Sequence, residues 1–537
     1  DRGRRTCILT LVDLFYLKSR IISDRVYFLI FSVIGTPDPS SMAALTEVVE
    51  RVRKTYRSGV TLSYDFRLAQ LKQLRKLCIE RGEELAAALS TDLRKGKFES
   101  YVCEIEIIKA ETEHAIRNLK TWMRPEKADR TTTSIMDTMK IIPDPWGVAL
   151  IISSWNYPVH LTLMPLVGAI AGGNCVIIKP SELAPATSKT LDQLIPQYLN
   201  EDCYKVVQGG PKETEKLLAE KFDYIFYTGS SRVGQLVYSA ASNHLTPVTL
   251  EMGGKSPVFL DNTCNIRMAT ERILWGKLVN AGQTCIAPDY ILCTPDVQED
   301  FIKTAKEMIT KFYPDGARHS PDLCRIINER HFRRLQELLS DAEVAVGGET
   351  DESERYIAPT ILVNVKETHK IMQDEIFGPI LPVLTVNSVN EALNFITERN
   401  PPLTCYVFST RREVRDAFTN RVSAGSICVN ETCSIIIVNS LPFGGVGKSG
   451  IGAYHGKHSF DTFTHKKSVL IKDYSYITDS LIRLRYPPYG DWKQKLITLA
   501  IGLPLPGIPW RLIIFLLGIS TGMIVILIIQ KYYGFTL

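Results

Sequence analysis

The chain has 537 residues, 45% hydrophobic and 23% charged, the balance of a globular protein of roughly two to four domains. Its 63 basic and 58 acidic side chains leave a net charge of +5, nearly neutral at this length, so composition gives no reason to expect a nucleic-acid partner. Twelve cysteines are scattered with no CxxC pair, which favours reduced thiols in a cytosol-facing protein over a disulfide scaffold or a zinc site.

Residues 1–41 read as a leader of uncertain status. The apolar run Val26–Ile34 is too short to span a bilayer, and no small-residue cleavage site clearly follows it, so the globular protein is expected to begin near Met42. From Ala43 to Ser58, Leu45, Val48, Val49 and Val52 recur at helical spacing, and Leu68, Leu71, Leu74 and Cys78 repeat the pattern. Arg124–Lys140 is polar and irregular, an excursion such as an oligomer arm. After Asp144-Pro145, short β-branched runs appear at Val148–Ser153, Cys175–Lys179, Tyr204–Val207, Tyr224–Tyr227 and Val248–Leu250, separated by helix-length segments. That alternation predicts a parallel sheet of right-handed βαβ units. A second set, including Pro257–Leu260, Tyr290–Cys293 and Thr360–Val363, predicts a second α/β domain.

Polar residues follow several of these strands, on the edge where α/β folds bind ligands. In SWNYP, Asn156 can donate its amide to a developing oxyanion, a contribution of about 2.7–4 kcal/mol in comparable sites; alone it reads equally as a turn asparagine. In KPSE, Lys179 and Glu182 can hold ribose hydroxyls or form a solvated loop. In YTGSSRVG, Gly229, Ser230 and Gly234 join a strand, a glycine turn and a helix start, where a pyrophosphate is favoured, although the GxGxxG fingerprint is absent. LEMGGKSP carries the acid Glu251, and NAGQTCIAPDY carries Cys285. A thiol and a carboxylate in glycine-rich settings suit thioester chemistry, with the thiolate attacking a carbonyl and the carboxylate activating the releasing water. In EIFGP, Glu375 can accept from a ribose and Phe377 can face a flat ring or join the core. PFGGVGKSG, Pro442–Gly450, lacks the spacing of a triphosphate loop.

At the far end, Leu512–Ile529 runs eighteen residues without a charge, about 27 Å as a helix, close to a thin bilayer core. Arg483, Arg485, Lys493, Lys495 and Arg511 precede it, the positive-inside arrangement, and Pro504, Pro506 and Pro509 separate it from the apolar residues upstream.

SWNYP, KPSE, YTGSSRVG, LEMGGKSP, NAGQTC, EIFGP and PFGGVGKSG occur in the order seen in aldehyde dehydrogenases, and the chain resembles that family from about Met42 to Lys472. NAGQTCIAPDY and AYHGKHSFDTF resemble the class 3 branch; with the apolar terminus, they resemble its microsomal fatty aldehyde members. The resemblance implies an α/β fold: a Rossmann-like NAD(P)-binding domain over 42–124 and 143–250, and a catalytic α/β domain over 251–427. It implies oligomerisation or bridging segments at 125–142 and 428–450, a tail near the substrate entrance over 451–510, and a transmembrane anchor over 511–531. Cys285 would be the nucleophile, and Asn156 with the Cys285 N–H the oxyanion hole. Glu251 would be the base, a role Glu375 also competes for. Lys179 and Glu182 would contact the adenine ribose, Gly229, Ser230 and Gly234 the pyrophosphate, and Glu375 and Phe377 the nicotinamide ribose and ring. NAD or NADP is the implied cofactor, with no metal. The implied substrate is a medium- or long-chain aliphatic aldehyde, the assembly a homodimer, and the location the endoplasmic reticulum or another intracellular membrane, with the catalytic part in the cytosol. Val429–Ser440 departs from the family pattern beside the substrate entrance.

Overall fold

The computed structural model describes residues 39–502 and 510–533. The apolar run Val26–Ile34 and Pro504, Pro506 and Pro509 lie outside the described residues.

Two N-terminal helices, Pro39–Arg57 and Tyr64–Glu80, form where the apolar periodicity places them. Val49, Val52, Leu71, Leu74 and Cys78 are buried, so the helical stripe faces the core. Five parallel strands follow: Val148–Ile152, Cys175–Lys179, Tyr204–Val206, Tyr224–Thr228 and Val248–Glu251. Covered by helices, they are almost wholly buried, hence their unbroken apolar sequences. In space the strand from Val148 lies between those from Tyr224 and Cys175. The strand order reverses there, so a crevice opens beyond the carboxyl ends of Val148–Ile152 and Tyr224–Thr228. Asn156 and Gly229 are residues that follow those two ends.

The second sheet has six parallel strands in the spatial order Thr360–Val363, Ile380–Thr385, Tyr290–Cys293, Pro257–Leu260, Thr404–Phe408, Ser426–Val429, with Glu343–Val346 antiparallel at one edge. Each sheet has its own hydrophobic core.

A third, antiparallel sheet joins Glu126–Lys127, Thr138–Pro145 and Thr464–Ile471. Part of the expected bridging segment 125–142 lies in this sheet. All eight residues of Thr464–Ile471 pair with Thr138–Pro145, while Gly450–Ile451 pairs with Glu251 and Leu250 at the edge of the first sheet. Two strands meeting from opposite ends of the chain leave no local signal of their pairing. The expected span, 511–531, falls on the helix Trp510–Tyr533, 24 residues long, several of whose side chains lie outside the described residues. Among the described residues no helix is long and apolar enough to cross a membrane.

Candidate active site

One cavity of about 1370 Å³ opens between the two large sheets, and Asn156, Gly229, Ser230, Glu251, Cys285, Glu375 and Phe377 all line it. Strands of the first sheet deliver Asn156, Gly229, Ser230 and Glu251 at their carboxyl ends, while Cys285, Glu375 and Phe377 come from the loops that lead into Tyr290–Cys293 and Ile380–Thr385 of the second, which is why motifs distant in sequence converge.

Cys285 follows the helix Ile266–Leu278 through a turn in which Asn280, Ala281 and Gly282 all have positive φ, 55°, 51° and 73°. Two non-glycine residues in this region are held by their surroundings. The Asn280 side chain donates through Nδ2 to the Asn156 carbonyl at 2.7 Å and to the Gln283 carbonyl at 3.0 Å. Asn156 Nδ2 donates in turn to Gln283 O at 3.0 Å, which leaves one of its two N–H groups for a ligand. The thiol is pushed well up, first by burial and then by Glu375, Glu251 and Cys433.

Glu251 ends its strand only 3% exposed, and neither carboxylate oxygen has a hydrogen-bond partner among the described residues. Burial alone raises its carboxyl well above the usual range. Glu375 reaches the same cavity against Gly253, where any side chain would overlap its carboxylate. Burial, then Asp289, push Glu375 up to about 8, while the Gly254 N–H, Lys255 and Arg334 pull the other way. Phe377 has φ 54° and meets Trp155 edge-on at 5.3 Å.

The turn that holds Phe377 is tethered by residues outside the expected set. Asp289 Oδ1 accepts from Ile376 N at 2.9 Å, Lys255 pairs with Asp289 and donates to the Ile371 and Asp374 carbonyls, and Arg334 donates to the Glu375 and Ile376 carbonyls. Two of these three lie inside motifs already singled out, Lys255 in LEMGGKSP and Asp289 in NAGQTCIAPDY.

The other expected contacts divide. Ser230 caps the helix Ser231–Ser242, accepting from Val233 N at 3.4 Å. That helix start, with Arg232, Gln235 and Lys448 also on the cavity wall, is a donor set suited to a pyrophosphate. Gly234 does not line the cavity; a Cβ there would lie 2.6 Å from Met252 Sδ, so its smallness serves helix-to-strand packing. Lys179 and Glu182 pair at 2.7 Å at the end of the neighbouring strand, outside the cavity lining. The lining also has apolar members, Val102, Ile107, Trp275, Ile436, Ile437 and Phe443. Val429–Ser440 thus reaches the cavity, through the turn Ser434–Ile437. Of the tail 451–510, Tyr454 alone among the described residues does so; the helix Asp491–Gly502 lies instead against the turn Thr132–Ser134, where Thr132 bonds to Ala500 O.

Residues 32–469 match the aldehyde dehydrogenase family. The chain belongs to that family. Among curated relatives, aldehyde dehydrogenase family 3 member B2 of Mus musculus is 48% identical over 466 residues, covering 87% of this chain and 97% of the relative. Aldehyde dehydrogenase family 3 member A2 of Rattus norvegicus is 48% identical over 445 residues, covering 83% and 92%. Among solved structures, the substrate-bound state of Staphylococcus aureus AldH superposes with a TM-score of 0.81 at 43% identity, covering 84% of this chain and 98% of that one. An indole-3-acetaldehyde dehydrogenase complexed with NAD+ superposes at 0.74 with 25% identity, covering 80% and 89%. The protein is thus an NAD(P)-dependent aldehyde dehydrogenase.

Proposed function

We propose that this enzyme oxidises medium- and long-chain aliphatic aldehydes to carboxylic acids, with Cys285 as the covalent nucleophile. The supporting observation is the convergence of Cys285, Asn156 and Glu251 in one cavity whose lining includes several large apolar side chains. Cys285 passes its thiol proton to Glu251 and on to solvent, the thiolate adds to the carbonyl carbon as the C=O π bond opens, and the resulting oxyanion is held by Asn156 Nδ2 and the Cys285 N–H. Bound oxidised nicotinamide supplies the hydride acceptor and a positive charge near the thiol. Gly229, Ser230, Glu375 and Phe377 are assigned to holding it within the cavity, and Lys179 and Glu182 to its far ribose. Loss of hydride leaves a thioester on Cys285. Glu251 takes a proton from water, the oxygen adds to the thioester carbon, and the C–S bond breaks to free the acid. Glu375, which lines the same cavity, is the second candidate for this proton.

The apolar lining residues Trp275, Ile436 and Ile437 suit an alkyl chain, and each methylene buried there contributes about 0.8 kcal/mol. The uncharged run Leu512–Ile529 supports a membrane anchor that leaves the catalytic part on the cytosolic side of an intracellular membrane such as the endoplasmic reticulum, where such aldehydes partition. The strand Thr464–Ile471 is an edge strand with Leu470 61% and Ile471 54% exposed, and we assign it to a second copy in a homodimer.

Steady-state NADH formation from aldehydes of two to sixteen carbons, with Cys285→Ala as control, tests the assignment. A specificity constant that does not rise with chain length rules out the fatty substrate. Turnover by Cys285→Ala rules out the nucleophile.

A further inference from the structure

We infer that Glu99 is a positioning residue for the nucleophile loop, holding the turn Asn280–Gly282 in the conformation that presents Cys285 and Asn156 to the cavity. The inference rests on Cys285 being the nucleophile. Glu99 lies in the short helical segment Lys97–Ser100, far from the loop in sequence and outside the cavity lining. Its Oε1 accepts from the Asn280 backbone N–H at 2.6 Å, and its Oε2 accepts from Cys324 Sγ at 3.5 Å.

The turn needs such a partner. Asn280 and Ala281 occupy left-handed backbone, which is unfavourable for residues carrying a Cβ. Other bonds around it are between neutral groups: Gln283 Nε2 donates to Asn280 O at 3.0 Å and to Arg325 O at 3.1 Å, and Gln283 Oε1 accepts from Ile327 N at 3.0 Å. Glu99 supplies a carboxyl acceptor from outside the loop, and burial raises that carboxyl above its usual range, so it is the placement of its oxygen that holds the turn. The consequence reaches the site through Asn280, whose side chain bonds to the Asn156 carbonyl, and through Gln283, whose carbonyl accepts from the Asn156 amide. Lys95 completes the arrangement, donating to the same Asn156 carbonyl at 3.3 Å while paired with Glu104. Released from Glu99, the turn is free to relax toward ordinary backbone angles, and the thiol and the Asn156 amide lose their common register.

The test compares Glu99→Ala, which removes the acceptor, with Glu99→Gln, which keeps an oxygen in place. Full-length protein is assayed for kcat, for KM of NAD, and for the rate at which iodoacetamide alkylates Cys285 without cofactor or substrate. Glu99→Ala is expected to lower both kcat and the alkylation rate at least tenfold with KM for NAD within twofold, and Glu99→Gln to restore both to within threefold. Ala281→Gly added to Glu99→Ala, which eases the left-handed backbone, should recover part of the loss. Glu99→Asp, with its acceptor drawn back by one methylene, gives the same reading should the alanine variant not fold. Wild-type kcat and alkylation in Glu99→Ala, or equal losses in the alanine and glutamine variants with no recovery by Ala281→Gly, overturn the inference. An inactive Cys285→Ala alongside an unaffected Glu99→Ala sinks this inference alone; an active Cys285→Ala sinks the nucleophile itself.

Discussion

Gly282, three residues before Cys285, packs against the backbone of Gly378 in the EIFGP loop so closely that a Cβ on Gly282 would overlap the Gly378 carbonyl oxygen. The loop that carries the thiol and the loop that carries Glu375 and Phe377 therefore share a wall with no side chain between them. A shift in either moves the other.

Gly282→Ala meets two obstacles, a φ of 73° and that carbonyl oxygen. It is expected to cost about 1–3 kcal/mol and to lower kcat along with stability. Calorimetry of the variant checks this, and a melting temperature equal to the wild type's refutes the packing.

Cys285→Ala should reduce NADH formation by about a thousandfold or more while leaving NAD affinity within a few-fold, since the thiol is one wall residue of a large cavity. Equilibrium dialysis with NAD separates loss of chemistry from loss of the fold.

The two acids make opposite predictions for stability and activity. Burial raises Glu375 to about 8 and Glu251 well above its ordinary value, so the folded protein holds protons that the unfolded chain releases near pH 4. The native state binds more protons in that window, and cofactor-free stability falls as pH rises from about 4 through 8. Glu375→Gln and Glu251→Gln should each melt higher than wild type at pH 8.5 and level with it at pH 4. Activity goes the other way, because the base must be ionised. The variant that accumulates thioester, slowing acid release by about 10²–10⁴, identifies the base.

Ile436 and Trp275 are among the apolar residues of the cavity lining. Ile436→Ser should raise KM for hexadecanal by about tenfold, on the scale of an isoleucine side chain's apolar burial, and change KM for propanal little. Equal changes for both aldehydes argue that the alkyl chain runs elsewhere.

A chain ending before Trp510 is expected to remain in the supernatant after high-speed centrifugation and to keep activity on short aldehydes. Pelleting with membranes at wild-type levels defeats the anchor.

Much of this protein is written locally. Five strands of the first sheet and three of the second are legible because a parallel strand buried on both faces must be a short, continuous β-branched run, and the motifs flanking the strands single out Cys285, Glu251, Asn156, Glu375 and Phe377 as candidates. Tertiary structure decides what those residues face. It pairs Thr138–Pro145 with Thr464–Ile471, gives Gly234 to Met252 and not to the cavity, and sets Lys179 and Glu182 apart from the cavity lining. It also brings Glu99 to the Asn280 N–H. Local pattern constrains backbone angles and which face is buried, whereas a hydrogen bond across 181 residues depends on how whole layers pack, and nothing in either segment encodes its partner.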